Sequence, residues 1–535
     1  MLRRDSPEIN RADRSFWHRS VRTLAVVAAL ALIACAPAGA QVSDFERWLE
    51  RRAQELASFT SARDSAFAEM LGREWVDFDV ESRMRSTPGA PKPVSPTIFR
   101  PDPDGGLSVP GSADAAAAPE SNPPEKVSAD PKDSGIAEAP APGDAVPGPK
   151  AAGVISEPLE EESGVSLLFL GQETVLPILD MDAPTLPGTI DEASISQAWA
   201  TWALRDTSDR PLWRMVSDQC EAWMLPDWGC VVLAQDAGTA LGGSALANEA
   251  NVFAWYVLTK MEWAVRVGYA GTEVYLLVAS DDPIYGMTSV ILDDFQYFLV
   301  PPPGGNDPGQ VSLRTYPSEE EVQNRLIRIS IESMDFGMTR TARRSFEYTD
   351  EGATVAFDLD YNLGAVELLD RLPQVRPEVL MNAPLSSDLT EGLRRVFTPM
   401  FRNMPDLQKL NRLLRFVQVG FDYQVDDDQF GQERYLWPEE VLHFPAADCE
   451  DRVFLLAALV REFIGREVIA LRYPGHLAMA VAWESGSAIG DHIVWDGKTF
   501  LVADPTYIGA PAGVSMPQFA DVSPTVVVPN GRPLS

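Results

Sequence analysis

The sequence predicts an α+β protein of several units, and three observations carry that prediction. Segments with apolar residues at helical spacing are followed by runs that alternate or stay apolar in the manner of strands. At 535 residues the chain is too long for a single core, which implies about two to four domains. One order of helix, strand and hairpin occurs twice along it.

The N-terminus comes first. Residues 1–40 have a basic start with Arg14, Arg19 and Arg22, then the apolar run LAVVAALALIA from Leu24 to Ala34. That run is too short to span a bilayer and has the form of a signal-peptide core. Two cleavage readings stand side by side. Leu32-Ile33-Ala34-Cys35 has the form of a bacterial lipobox, which would make Cys35 a lipidated first residue; Ala38-Gly39-Ala40 has the form of an A-x-A site. Either predicts export, to a periplasm or to an outer-membrane anchor.

Residues 41–85 predict an amphipathic helical segment, with Phe45, Trp48, Leu49, Ala53, Leu56 and Phe59 on one stripe. It serves either as a membrane-side spacer or docking helix, or as an ordinary helix lying on a core. Residues 86–163 are rich in Pro, Ala, Gly, Ser and acids and poor in large apolar residues. Such a segment cannot bury enough surface to offset its ordering entropy, so a disordered linker is expected. Residues 164–305 predict helices followed by strands such as Glu273–Ala279 and Ser289–Val300. The run PPPGGNDPG then marks a boundary. Residues 306–385 predict a small β module, from the alternating RLIRISIES and from two strands around Asp350-Glu351-Gly352. Residues 386–520 turn helical and close with strands, and 521–535 form a tail.

The net charge of −34 makes nucleic acid an unfavourable partner. Of the four cysteines, Cys35 falls in the leader, and Cys220 and Cys230 are close enough in sequence to pair, or else stay reduced and buried. That leaves Cys449 as an odd thiol and a candidate nucleophile. Cys449 opens a predicted helix. Asp448 is its expected N-cap, Asp451 stands three residues on as in a capping box, and Gly465 ends it. A helix N-terminus favours a thiolate and offers free N–H groups to an oxyanion, whereas Asp448, Glu450 and Asp451 work against ionisation. His476 begins the predicted strand of YPGHLAMAVAW. Asp504 ends the second strand of a hairpin turning at Asp496-Gly497, so adjacent antiparallel strands can bring Asp504 beside His476.

The strings LLRFVQVGFDYQVDDDQFGQERYLWPEEVLHFPAADCEDR, YPGHLAMAV and DGKTFLVADPTY resemble the bacterial transglutaminase-like cysteine hydrolases, a papain-like group. The resemblance covers residues 386–520 and implies a transglutaminase-like domain with Cys449 as nucleophile, His476 as base and Asp504 as its orienter. Upstream, the helix ending in LGREWVDF resembles the start of a surface-protein subgroup. In related proteases calcium is bound near the DCED string. That makes Asp426, Asp427, Asp428, Glu450 and Asp451 calcium candidates, against the plain alternative of a solvated acidic turn and no cofactor. Trp437 or Tyr435 lines a cleft or packs in the core, and His443 is a supporting residue or a surface one.

Residues 164–305 echo this domain. NEANVFAWYVLTKME, VRVGYAGTEVYLLVA and VILDDFQYFLVPP parallel DCEDRVFLLAALVRE, IALRYPGHLAMAVAW and IVWDGKTFLVADP. Matched by Tyr269-x-Gly271 and Tyr473-x-Gly475, Asn248 or a neighbour replaces Cys449, Thr272 replaces His476 and Pro301 replaces Asp504. The expectation is a degenerate copy without the chemistry, or else a chance likeness of two α+β units. The function expected is an exported cysteine protease or amidase acting on a protein or peptide. The alternative is a non-catalytic or transamidating surface protein used for assembly or binding.

Overall fold

A computed structural model of the chain describes residues 63–73, 75–80, 164–176, 183–206, 211–242, 247–282, 284–316, 325–337, 340–484 and 490–529. The signal peptide with Cys35, residues 41–62 of the amphipathic segment, the 86–163 linker and residues 530–535 of the tail lie outside these. The fold is mixed α+β with antiparallel sheets, and among the described residues no helix is long and apolar enough to cross a membrane.

A helix at 63–71 (α1) leads into β1 (Val76–Val80). Met70, Leu71 and Trp75 are buried here, so this part of the amphipathic segment lies on the core. The hairpin β2 (Val165–Phe169) and β3 (Gln172–Leu176) follows, then α2 (Glu192–Arg205), α3 (Leu212–Ala222), α4 (Asp227–Gly242) and α5 (Ala247–Lys260). Helix α2 starts at a reciprocal capping box between Asp191 and Ser194. Helix α5 is buried nearly all round, from Glu249 to Leu258, which places it at the centre of its unit. It packs on β4 (Val265–Ala270) and β5 (Glu273–Ala279), with β6 (Ile284–Tyr285), β7 (Ser289–Leu292), β8 (Phe295–Val300) and β9 (Val311–Thr315) after them. The sheet order is β1-β9-β4-β5-β8-β7.

The predicted β module at 306–385 does not stand alone. β9 belongs to the preceding sheet, and only β10 (Thr341–Asp350) and β11 (Ala353–Asn362) form a hairpin of their own, turning at Glu351-Gly352 with positive φ at both. RLIRISIES is not a strand. Its alternation does govern burial, since Ile327, Ile329 and Ile331 are inside, but it makes only scattered bonds: Ile327 N–H donates to Ala279 O at the end of β5 and Ile329 N–H to the Asp282 side chain. Next come α6 (Leu363–Asp370), β12 (Gln374–Val375) and α7 (Pro377–Leu380). β12 pairs with β6, and Arg371 grips Asp236 through two bonds of 2.6 and 2.8 Å. One hydrophobic core runs continuously from Met70 to Val527, so the two large units are packed into one body.

The last unit holds α8 (Ser387–Met400), α9 (Asp406–Val419), α10 (Asp426–Gln429), α11 (Pro438–His443) and α12 (Cys449–Phe463). Strands β13 (Val468–Tyr473), β14 (His476–Trp483), β15 (His492–Trp495), β16 (Lys498–Ala503) and β17 (Thr525–Val527) follow α12. Their sheet order, β17-β13-β14-β16-β15, repeats β9-β4-β5-β8-β7 strand for strand, and α12 lies on it as α5 lies on its counterpart. The registers correspond too. Ala270↔Glu273 and Tyr473↔His476 each close a two-residue turn, while Leu276↔Val300 and Met479↔Ala503 set the next pairing.

Glu439, buried in α11, supplies a pH prediction. It accepts a hydrogen bond from Ser386 N–H on one oxygen and has no partner on the other. Burial, with Asp335 adding to it, pushes its carboxyl up to about 7. The folded state therefore holds a proton that the unfolded state releases, and stability is full below the ordinary glutamate range and lost as pH rises through about 7. Glu439→Gln keeps the acceptor and removes the charge. It should stabilise the protein by about 1–3 kcal/mol at pH 8 and little at pH 4.5. Urea unfolding at the two pH values checks this, and an equal effect at both would refute it.

Candidate active site

Asp448 caps α12 as expected, accepting a bond from Asp451 N–H, and this sets Cys449 in the first turn. Asp451 does not reach back to complete the box; its Oδ1 accepts from Leu436 N–H at 2.8 Å instead. Arg452, fully buried, fixes the helix by donating to the carbonyls of Ala447, Gln418, Phe421 and Asp422. His476 starts β14 and Asp504 directly follows β16, the strand paired with it. His476 Nε2 and Asp504 Oδ2 are 2.8 Å apart and both side chains are buried. The other carboxylate oxygen accepts from Thr506 N–H and Tyr507 N–H at 2.9 and 3.3 Å. Gln418 on α9 closes this loop, its amide donating to the carbonyls of Asp504, Tyr507 and Ala510 and accepting from Gly509 N–H.

Cys449 meets the base of β14. The N–H of Leu477, next to His476, faces the sulfur and favours its ionised form, while His476 Nδ1 is buried without a partner. The thiol is not hydrogen-bonded to the imidazole. It donates to Glu450 Oε2 at 2.7 Å. Burial, followed by the charges of Glu450 and Asp448, pushes it well above the usual cysteine range, and the Leu477 N–H opposes this only in part. The helix N-terminus alone thus does not yield a thiolate here.

Around Glu450 lies a buried acidic pocket. Oxygens of Asp426, Asp448 and Asp451, and of Asp426, Glu433 and Glu450, approach within 4.8 Å of one another. One oxygen each of Asp426, Glu433, Glu450 and Asp451 makes no hydrogen bond to the protein. Burial raises Asp426 to about 7 and Glu433 to about 8. Orphaned carboxylate oxygens converging in a buried site are the donor set of a hard divalent cation, and calcium fits it. Contrary to the sequence expectation, Asp427 and Asp428 are exposed outside the pocket, and Glu433 and Asp448 complete it. Tyr435 and Trp437 are buried in the core, and His443 bonds Tyr361 at 2.7 Å on the β10–β11 side.

In the first unit the matching positions are changed. Asn248 stands where Cys449 does, its Oδ1 accepting from Val274 N–H at 2.9 Å, and the hairpin registers match Val274 with Leu477. The hairpin register places Glu273, not Thr272, opposite the His476 position, and Pro301 takes the place of Asp504. Gln235 on α4 donates to the carbonyl of Pro301 as Gln418 does to that of Asp504. Cys220 and Cys230 are free, buried thiols, so of the two alternatives, a disulfide or a reduced buried pair, the structure has the second. Glu433, Gln418 and the thiol-holding role of Glu450 had no local signal in the sequence. Each depends on elements brought together only by the fold. No family model matches the chain, and neither a curated protein nor a solved structure is detectably similar to it.

Proposed function

We propose that residues 386–520 form a transglutaminase-like cysteine-hydrolase unit of an exported protein, acting on a peptide or protein amide. The observation that carries this reading is the buried Asp504–His476 pair with Nδ1 unpartnered, set at the start of β14 next to Leu477, whose N–H faces the capped Cys449. Once the thiol is released from Glu450, Nδ1 takes its proton and the sulfur attacks the amide carbonyl. The developing oxyanion draws on the unpaired N–H groups of the first turn of α12. The proton passes from Nδ1 to the leaving amine, leaving a thioester. Water adds to the thioester, giving its proton to Nδ1, and the acid and the thiol are regenerated.

Residues 164–305 are, on this reading, a degenerate copy of the same domain. Asn248 is no nucleophile, Glu273 is no imidazole and Pro301 has no carboxylate. The common sheet order and the paired glutamines Gln235 and Gln418 support descent from one unit. A divalent cation held by Asp426, Glu433, Asp448, Glu450 and Asp451 belongs to this reading as well. When bound, it neutralises charge beside the thiol.

One observation favours a second reading, that of a non-catalytic surface protein. Cys449 is only 2% exposed and its hydrogen is given to Glu450. Screening a peptide library with the wild type and Cys449→Ala separates the two. The expected result is hydrolysis by the wild type and none by the variant, with iodoacetamide labelling mapped to Cys449. Cleavage that survives in Cys449→Ala would exclude the hydrolase assignment.

A further inference from the structure

We propose that Phe519 is a positioning residue for His476, carried by a chain segment that only the histidine-bearing unit possesses. The inference rests on the reading of Cys449, His476 and Asp504 as the reacting set. In the first unit, residues 301–310 suffice to join β8 to β9. The equivalent connection from β16 to β17 takes residues 504–524. Closing the sheet does not need the additional length, because the same two strand positions are joined without it.

That length is held in place. Asn411 accepts from Ala512 N–H at 2.8 Å, Gly513 exchanges backbone bonds with Asp491 and Val502, and Asp491 accepts from Ser515 N–H at 2.9 Å. The segment ends in a short 3-10 turn, Pro517–Phe519, that lays the Phe519 ring parallel to the His476 ring, with centroids 5.1 Å apart and planes 3° apart. Tyr473, the cross-strand partner of His476, stacks on the same phenyl ring at 4.6 Å. His476 is 1% exposed while Phe519 is half-buried, so the phenyl ring is a layer between imidazole and solvent.

Stacking on the face leaves both edge nitrogens free. It therefore fixes the plane of the imidazole without using either, keeping Nε2 on Asp504 and Nδ1 open to a second partner. It also shields the 2.8 Å bond from water, and the π face attracts the ring once protonated. Restricting the base to one plane is the kind of support that reacting geometry requires. The first unit, with Glu273 at this place, has no ring to hold.

The test uses the full chain labelled with nitrogen-15 histidine, where four histidines give few signals. In the wild type the Nε2–H proton of His476 should be visible and slow to exchange. Phe519→Ala should speed its exchange and slow iodoacetamide labelling of Cys449, each by about 3- to 10-fold. Phe519→Trp, which keeps a flat ring, should restore both. Phe519→Leu preserves apolar bulk, and thus folding, but should behave like the alanine variant. Slow exchange in Phe519→Leu at an unchanged melting temperature would overturn the proposal, because bulk alone would then suffice. The proton-exchange readout does not depend on turnover, so it still decides the role of Phe519 if Cys449→Ala shows the hydrolase reading to be wrong.

Discussion

Replacing Asp504 with asparagine is expected to slow the chemistry of Cys449 by about 10²- to 10⁴-fold with the fold intact. The asparagine carbonyl can keep the bonds from Thr506 and Tyr507 N–H that Oδ1 now accepts. Its amino group then faces His476 Nε2, which must become an acceptor. The ring proton moves to Nδ1, the nitrogen that has to receive the thiol proton, so the base is in the wrong tautomer. Asp504→Ala also loses the two backbone bonds and should lose melting temperature as well as rate. Hydrolysis of a library-selected peptide by Asp504→Asn, alongside its melting curve, measures both. A rate within about threefold of the wild type would remove Asp504 from the reacting set.

Much of this arrangement was legible because it follows from local rules. Asp448 before an apolar helix announces a cap, and alternation in HLAMAVAW announces a buried strand with His476 at its start. The repeated order of helix and strands likewise fixed which elements share a sheet. The misread positions are those set by geometry that residue identity does not carry. Gly271 and Gly475 both have positive φ, yet the first opens its two-residue turn and the second closes one. Equivalence of the two glycines would place Thr272 at the histidine position, whereas the register places Glu273 there. Asp428 looked equivalent to Asp426, but one turn of α10 sends only Asp426 inward. Glu433 joins it from a separate loop, and the backbone N–H of Arg434 ties that loop to Asp426 at 2.9 Å. The preference of the thiol for Glu450 over His476 depends on burial, which adjacency in sequence does not show.

The acidic pocket carries the second large expected effect. Five carboxylates within one buried cluster repel one another, and burial holds Asp448 and Asp451 well above the usual aspartate range. Two arginines lie close but are committed elsewhere. Arg452 spends its donors on four backbone carbonyls, and Arg434 pairs with Asp370 and Glu440. The charge is therefore compensated by protons or by a cation. Calcium at about 100 times its dissociation constant should stabilise the protein by about 2.7 kcal/mol, or about 3–4 °C in melting temperature for a single body of this size. Magnesium should do less, because it needs a stricter octahedral shell and gives up water reluctantly. Glu433→Gln makes permanent the neutrality that burial and its neighbours impose on this carboxyl at the partly exposed side of the cluster. It should raise the melting temperature in chelator and shrink the calcium response. Glu450 serves both the pocket and the thiol, so calcium should also speed iodoacetamide labelling of Cys449. Calorimetry in calcium, in magnesium and in chelator provides the measurement. Identical melting curves in all three would show that protons alone balance these carboxylates and that the pocket is not a metal site.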